Sequence, residues 1–238
     1  MKKTIALALA IVLAAIFFSG FITGNNTSSV GGSSLEAEPV DATVAPTVES
    51  LIGSAVSFGG YYWRVLDVQD DRALIITETI TERRPYNVER TAVTWETSTL
   101  RAYLNGEFLQ KFTREDQDRI AETRVQNPDN PWFDTPGGND TTDKIFLLSL
   151  DEVVKYFGDS GRLRNRPSEA EWVSDQYNSA RRAVDVNGWA SWWWLRSPGD
   201  DSDSAAGVGV DGVVHVCGGD AGVTGAGGAV RPALWLNL

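Results

Sequence analysis

The only histidine and the only cysteine in the 238 residues, His215 and Cys217, stand two apart in the run "VVHVCGG". On a strand that spacing turns both side chains to one face, where an imidazole and a thiol could act together. A Ser-His-Asp hydrolase would have to use His215 as its base. Asp and Ser are plentiful nearby, but there is no G-x-S-x-G nucleophile elbow. A zinc site needs more ligands than this pair, and no second His or Cys exists to supply them. Hard oxygen donors are the better metal question. "GGNDTTD" sets Asn139, Asp140 and Asp143 on a Gly-rich loop that could hold calcium, and Asp200, Asp201 and Asp203 form a second acidic cluster. The same residues also populate ordinary turns for backbone reasons, so no cofactor is expected and calcium stays as the alternative. Arg196 and Arg231 flank apolar runs and could meet an acidic ligand. At least one of them is expected semi-buried against a carboxylate.

Composition narrows the function classes. A formal charge of −11 without Lys/Arg clusters excludes a nucleic-acid partner, whose binding runs on phosphate neutralisation. Hydrophobic residues make up 42% of the chain, enough for a real core. With one Cys no internal disulfide can form, so stability must come from packing, with nine Trp as the main suppliers.

The elements that must position these residues follow in order. Residues 1–24, "MKKTIALALAIVLAAIFFSGFITG", have the basic start and apolar run of a signal peptide, or of an N-terminal membrane anchor. Either places the rest outside the cytoplasm, with membrane contact only through this segment. Residues 25–50 read as a disordered linker and 51–238 as one α+β domain. "YYWRVLDVQDDRALIITETI" predicts a hairpin. Leu100, Tyr103, Leu104, Phe108 and Phe112 fall at helical spacing, with a break expected at Asn105-Gly106. Thr113 is a predicted N-cap, and Ser149 with Glu152 a capping box for a helix through Tyr156. "KIFLLS" predicts a short buried strand. "RPSEAEWVSDQYNSARRAVD" predicts an amphipathic helix with Pro167 in its first turn.

In "WWWLRSPG" a strand would turn Trp192 and Trp194 one way and Trp193 the other. Core packing is the first reading of these Trp, and a sugar-stacking platform the alternative. "AVRPALWLNL" reads as a late partner of that strand. Between them "SAAGVGVDGVVHVCGGD" predicts a hairpin with a three-residue loop and Gly212 left-handed, pairing Val208 with Val214. Ala206, Val208, Val214 and Val216 then face inward. Gly207, Gly209, Val213, His215 and Cys217 face outward.

The pieces "WRVLDV", "RPYN", "TWETSTLRAYLNGEFLQKF", "NPDNPWFDTPGGNDTTDKIFLLS", "YFG", "WWWLRSPG" and "VRPALWLNL" resemble the bacterial domain of unknown function 6273 family, from Trp63 to Leu238. More distantly, with "RPSEAEW", the chain is similar to the C-type-lectin-like fold of formylglycine-generating enzymes. That resemblance implies a single domain of short helices packed on a twisted, mostly antiparallel sheet. The catalysis of those enzymes needs paired cysteines, which Cys217 alone cannot provide.

Residues 199–229 contain no Lys, Glu, Gln, Met or Trp, the types that adenine-directed rewriting of AAC codons cannot produce. The segment therefore looks like the variable region of lectin-like proteins diversified by retroelements. A GC-rich genome would give the same bias. The expectation is an exported or tethered recognition module that is not an enzyme and binds an external protein or carbohydrate. Its site residues are Asp200, Asp201, Asp203, Gly207, Gly209, Val213, His215, Cys217, Asp220 and Thr224. An enzyme of altered chemistry, or a structural envelope component, is the alternative.

Overall fold

The computed structural model describes residues 51–220 and 227–238. The expectations for residues 1–24 and 25–50, and for Thr224, lie outside the described residues. Among those described, no helix is long and apolar enough to cross a membrane.

The chain opens with three antiparallel strands, β1 (Ala55–Phe58), β2 (Tyr61–Gln69) and β3 (Arg72–Thr77). The β2–β3 hairpin turns at Asp70, whose φ of 53° is the left-handed conformation such a tight turn needs. Short β4 (Glu82–Arg83) follows, then α1 (Thr99–Tyr103), capped by the Ser98 hydroxyl. The break expected at Asn105-Gly106 is instead a wide π turn, Leu104–Phe108, leading into a 3-10 turn, Leu109–Lys111. Asn105 stays in the turn because its side chain bridges outward. Its Oδ1 accepts from the amides of Lys144 (2.8 Å) and Ile145 (3.2 Å), and its Nδ2 donates to the Ile145 carbonyl (2.9 Å). Thr113 caps α2 (Arg114–Arg119) as expected.

Next, β5 (Thr123–Val125) pairs with β6 (Thr141–Asp143) across the Pro/Gly-rich loop. Ile145 to Leu148 are buried, but they form no ladder. Phe146 bridges Ala233, while the Leu148 carbonyl accepts from the Arg196 amide (2.9 Å). This run is a strap between two sheets, and its carbonyls are spent on both. The Ser149–Glu152 capping box opens α3 (Leu150–Phe157) as read.

The amphipathic helix expected after Pro167 is absent. That stretch forms β7 (Trp172–Val173), a single helical turn α4 (Asn178–Arg181) and β8 (Ala183–Val184). Tertiary demands override the period: Val173 pairs with Val214, and Asp175 turns inward to Arg181 (2.8 Å). Then come β9 (Ala190–Ser191), β10 (Trp193–Pro198), β11 (Ser204–Val208), β12 (Val214–Asp220), β13 (Ala229–Val230) and β14 (Ala233–Asn237).

Two sheets organise the domain, in the orders β1-β2-β3-β14 and β4-β13-β10-β11-β12-β7. All their pairings are antiparallel except β10 with β13. The domain is thus α+β, mostly antiparallel, with few short helices. "AVRPALWLNL" does not simply partner the Trp strand: Ala229 pairs with Trp193, Pro232 ends that contact, and β14 crosses to β3. Pro232 marks the switch because it has no amide to donate, while its carbonyl still accepts from Thr77 (3.0 Å). Trp63, Trp95, Trp193 and Trp194 are all fully buried, so the Trp frame is core.

Candidate functional site

The β11–β12 hairpin has the expected register. Val208 pairs with Val214, the Gly209 amide donates to the Val213 carbonyl (2.8 Å), and Gly212 adopts φ 85°. A Cβ on Gly212 would sit 1.8 Å from the Asn178 carbonyl oxygen, so only glycine closes this loop. Ala206, Val208, Val214 and Val216 are buried on the inner face, as the alternation demands.

On the outer face Gly207 is opposite Trp194 on one side and His215 on the other, and His215 is opposite Trp172. Trp194 is fully buried, so the aromatic groups this face presents are Trp192, His215 and Trp172. Where the glycine stands, a slot of about 350 Å³ opens, lined by Trp192, Ala205, Gly207, Gly209, His215 and their neighbours. Trp192 packs edge-on against Trp194 at 4.5 Å between ring centroids, which fixes that wall. His215 lies against the Trp172 ring at 6.4 Å, and Trp172 is 49% exposed. His215 is the slot's one ionisable lining residue. Such a surface can stack on a flat apolar group, and its small floor residues bring that group close to backbone.

Gly207, Gly209 and His215 therefore line one slot. Val213 and Cys217 do not line the slot. For Cys217 the reason is a bulge: Gly207 pairs with His215 but Ala205 with Gly219, so β12 carries extra residues between these pairs. The amides of Val216 and Cys217 both donate to the Glu171 carbonyl (3.1 Å each), and strict alternation ends there. Of the two, only His215 faces the slot. Burial, then the Asp200 and Glu171 carboxylates, pushes the Cys217 thiol up, which favours its protonated form.

The acidic residues serve the corner beside the slot. Asp200 accepts from the Ser204 hydroxyl (3.1 Å), and its carbonyl accepts from Thr135 (2.8 Å). The Asp201 carbonyl accepts from the Ser204 amide (3.1 Å). Asp203 and Asp220 both pair with Arg90, at 3.2 and 3.3 Å. In the other cluster Asp143 accepts from Trp95 (2.9 Å), Arg101 (2.7 Å) and Thr141 (2.7 Å), while Asp140 pairs with Arg124. Among the described residues no three His, Cys, Asp or Glu side chains converge as metal ligands would. Arg196 is the expected semi-buried partner of a carboxylate, Glu152. Arg231 is buried without a carboxylate partner among the described residues, and burial lowers it to about 10.

Most of the described glycines of 199–229 are small for packing. Added Cβ atoms would meet the Cys217 carbonyl at Gly199 (2.3 Å), the Ala205 carbonyl at Gly218 (2.4 Å), the Arg84 backbone at Gly227 (2.3 Å) and the Trp192 and Trp194 rings at Gly228 (2.5 Å). Gly219 alone among the described glycines of this segment has open space around it. Sequence reasoning put core packing first for Trp192, with a stacking platform as the alternative, and missed Trp172, which falls inside the stretch read as a helix. It also missed Asn130, a buried side chain whose Nδ2 donates to the carbonyls of Pro198 (2.9 Å), Gly199 (3.1 Å) and Val216 (2.8 Å). Asn130 ties the ends of β10 and β12 at the bulge.

The family model described as a domain of unknown function (DUF6273) matches residues 70–238, and the chain belongs to that family. No curated protein and no solved structure gives a significant match.

Proposed function

We propose that the protein is a recognition module, held or released outside the cytoplasm, on a C-type-lectin-like variant of the α+β fold. Its slot on the β10–β11–β12 face receives a flat apolar group of an external partner, such as an aromatic side chain. The observation that carries this reading is the cleft that opens over Gly207 between the Trp192 ring and the His215 imidazole. Two features support it. The Trp192 wall is anchored on the buried Trp194 ring, so on that side little order must be gained on binding. The lining is almost wholly apolar, which suits an aromatic or aliphatic anchor better than a hydroxyl-rich ligand.

Crystals of the domain soaked with indole and, separately, with a methyl pyranoside test this. Indole density between Trp192 and His215 is the expected result. An empty slot with indole, or a pyranoside seated there in its place, would refute it.

A further inference from the structure

Arg231, between β13 and β14, is 1% exposed, and it keeps its charge at neutral pH although burial lowers its pKa to about 10. The Phe157 and Trp193 rings cover it, with centroids 5.3 and 5.1 Å from the guanidinium carbon. Its Nε donates to the Thr77 carbonyl (2.9 Å), but its Nη1 is buried with no hydrogen-bond partner among the described residues. Two more buried polar atoms in the same state belong to residues joined to it. Thr77 has an unpaired hydroxyl. Arg181, whose carbonyl accepts from Trp193 Nε1 (3.1 Å), has an unpaired Nε.

These residues bring together two buried guanidinium groups and one buried carboxylate, Asp175, which Arg181 takes through two bonds (2.8 and 3.1 Å). The partly exposed Glu78 also acts on Arg231, but Arg64 holds that carboxylate at 3.0 and 2.7 Å, and its own repulsion of Arg231 is the larger effect. One positive charge is therefore left over in the interior, where an unpaired charge is costly. The two rings offset part of that cost, because their faces attract a cation. An anion would meet the rest, whereas a water molecule could accept from Nη1 but would bring no charge. The unpaired atoms agree. Guanidinium nitrogens can only donate and the Thr77 hydroxyl can donate too, so what they lack is an acceptor. Beneath two rings and almost no exposed surface, an anion of one atom displaces least, and one surplus charge calls for one negative charge.

We infer that Arg231 is the centre of an internal site for a small monovalent anion of the halide class, chloride first among them, held at Nη1. The site is independent of the slot and of the reading given to it.

Crystals of the full chain, grown without halide and soaked in sodium bromide, locate the anion by its anomalous signal. In parallel the full chain is melted at constant ionic strength while sodium chloride replaces sodium gluconate, whose anion is too bulky to enter. A bromide peak within hydrogen-bonding distance of Nη1 is expected, with a saturable rise of about 2–4 °C in melting temperature as chloride is added. In Arg231→Met, which removes the charge and keeps most of the volume, chloride should no longer raise it. Should that variant not fold, the wild-type map and melting series decide. Water at Nη1 in place of bromide, or a chloride effect undiminished in Arg231→Met, would overturn the inference. So would equal melting in chloride and gluconate, which would make any bromide peak an adventitious ion only.

Discussion

Gly207 stands directly across the β11–β12 ladder from His215, and no side chain fills the space between the imidazole and the Trp192 ring. A Cβ at Gly207 would lie 3.1 Å from the Trp193 carbonyl oxygen and 3.7 Å from the Trp192 ring, so the position is small both for its backbone neighbour and for the cleft. One residue thus links local packing to a surface that can hold a ligand.

The glycines of this hairpin should separate sharply in unfolding experiments. Gly212→Ala forces a φ of 85° on an L-residue and meets the Asn178 carbonyl, so urea titration should show a loss of at least about 2 kcal/mol. Gly219→Ala has free space and should be neutral, or stabilising by about 0.5–1 kcal/mol, as alanine loses less backbone entropy. Equal effects at the two positions would contradict the hairpin geometry.

Asn130→Ala strips three carbonyl oxygens, of Pro198, Gly199 and Val216, of a buried donor. Leaving such groups unpaired costs about 1–3 kcal/mol each when water cannot reach them, so a loss of at least about 2 kcal/mol is expected by thermal or chemical melting. Asn130→Asp should be no better, since a carboxylate brings acceptors where donors are required.

Asp175 and Arg181 form an ion pair whose side chains are 1% and 0% exposed. Burial raises the Asp175 carboxyl, but bonds from Arg181, Ser160 and the Tyr177 amide outweigh it and hold the group below the ordinary carboxylate range. A carboxyl depressed in the folded state contributes stability that is complete above its unfolded value, near about pH 4, and is lost as pH falls through the folded value. The wild-type acid-unfolding curve should therefore steepen below about pH 4, and Asp175→Asn should flatten that limb. Asp175→Ala, which strands a buried guanidinium, should cost about 3–5 kcal/mol at neutral pH.

Cys217 should alkylate slowly. Burial and two nearby carboxylates keep the thiol protonated, so iodoacetamide at neutral pH should modify native protein several-fold more slowly than unfolded protein. Rapid native alkylation would mean that the bulge leaves the thiol open.

Several of these relationships were legible before any coordinates. The Asp211-Gly212 turn set the register because only one loop length buries Val208, Val214 and Val216 together, and that register is observed. Three consecutive Trp had to alternate, and Trp192 meets Trp194 while Trp193 packs on Phe157. The capping box of α3 is a local signal and was equally readable. What escaped was non-local. The apolar period after Pro167 is overruled by pairing of Val173 to Val214, which leaves no trace within that stretch, and by the Asp175–Arg181 pair, whose six-residue spacing is not a helical one. The buried run Ile145–Leu148 looks like any core strand until two sheets are placed on either side of it. The β12 bulge, which separates Cys217 from His215, depends on the Glu171 carbonyl and on Asn130, both distant in sequence.

The slot itself is most directly tested through His215, the chain's single imidazole, whose ring signals need no assignment against other histidines. Titration with indole should shift those signals saturably in the wild type. In Gly219→Leu, where a new side chain has room to grow across the lining without strain, the shift should vanish while the melting temperature holds. His215 signals that ignore indole, or that respond equally in Gly219→Leu, would contradict the account.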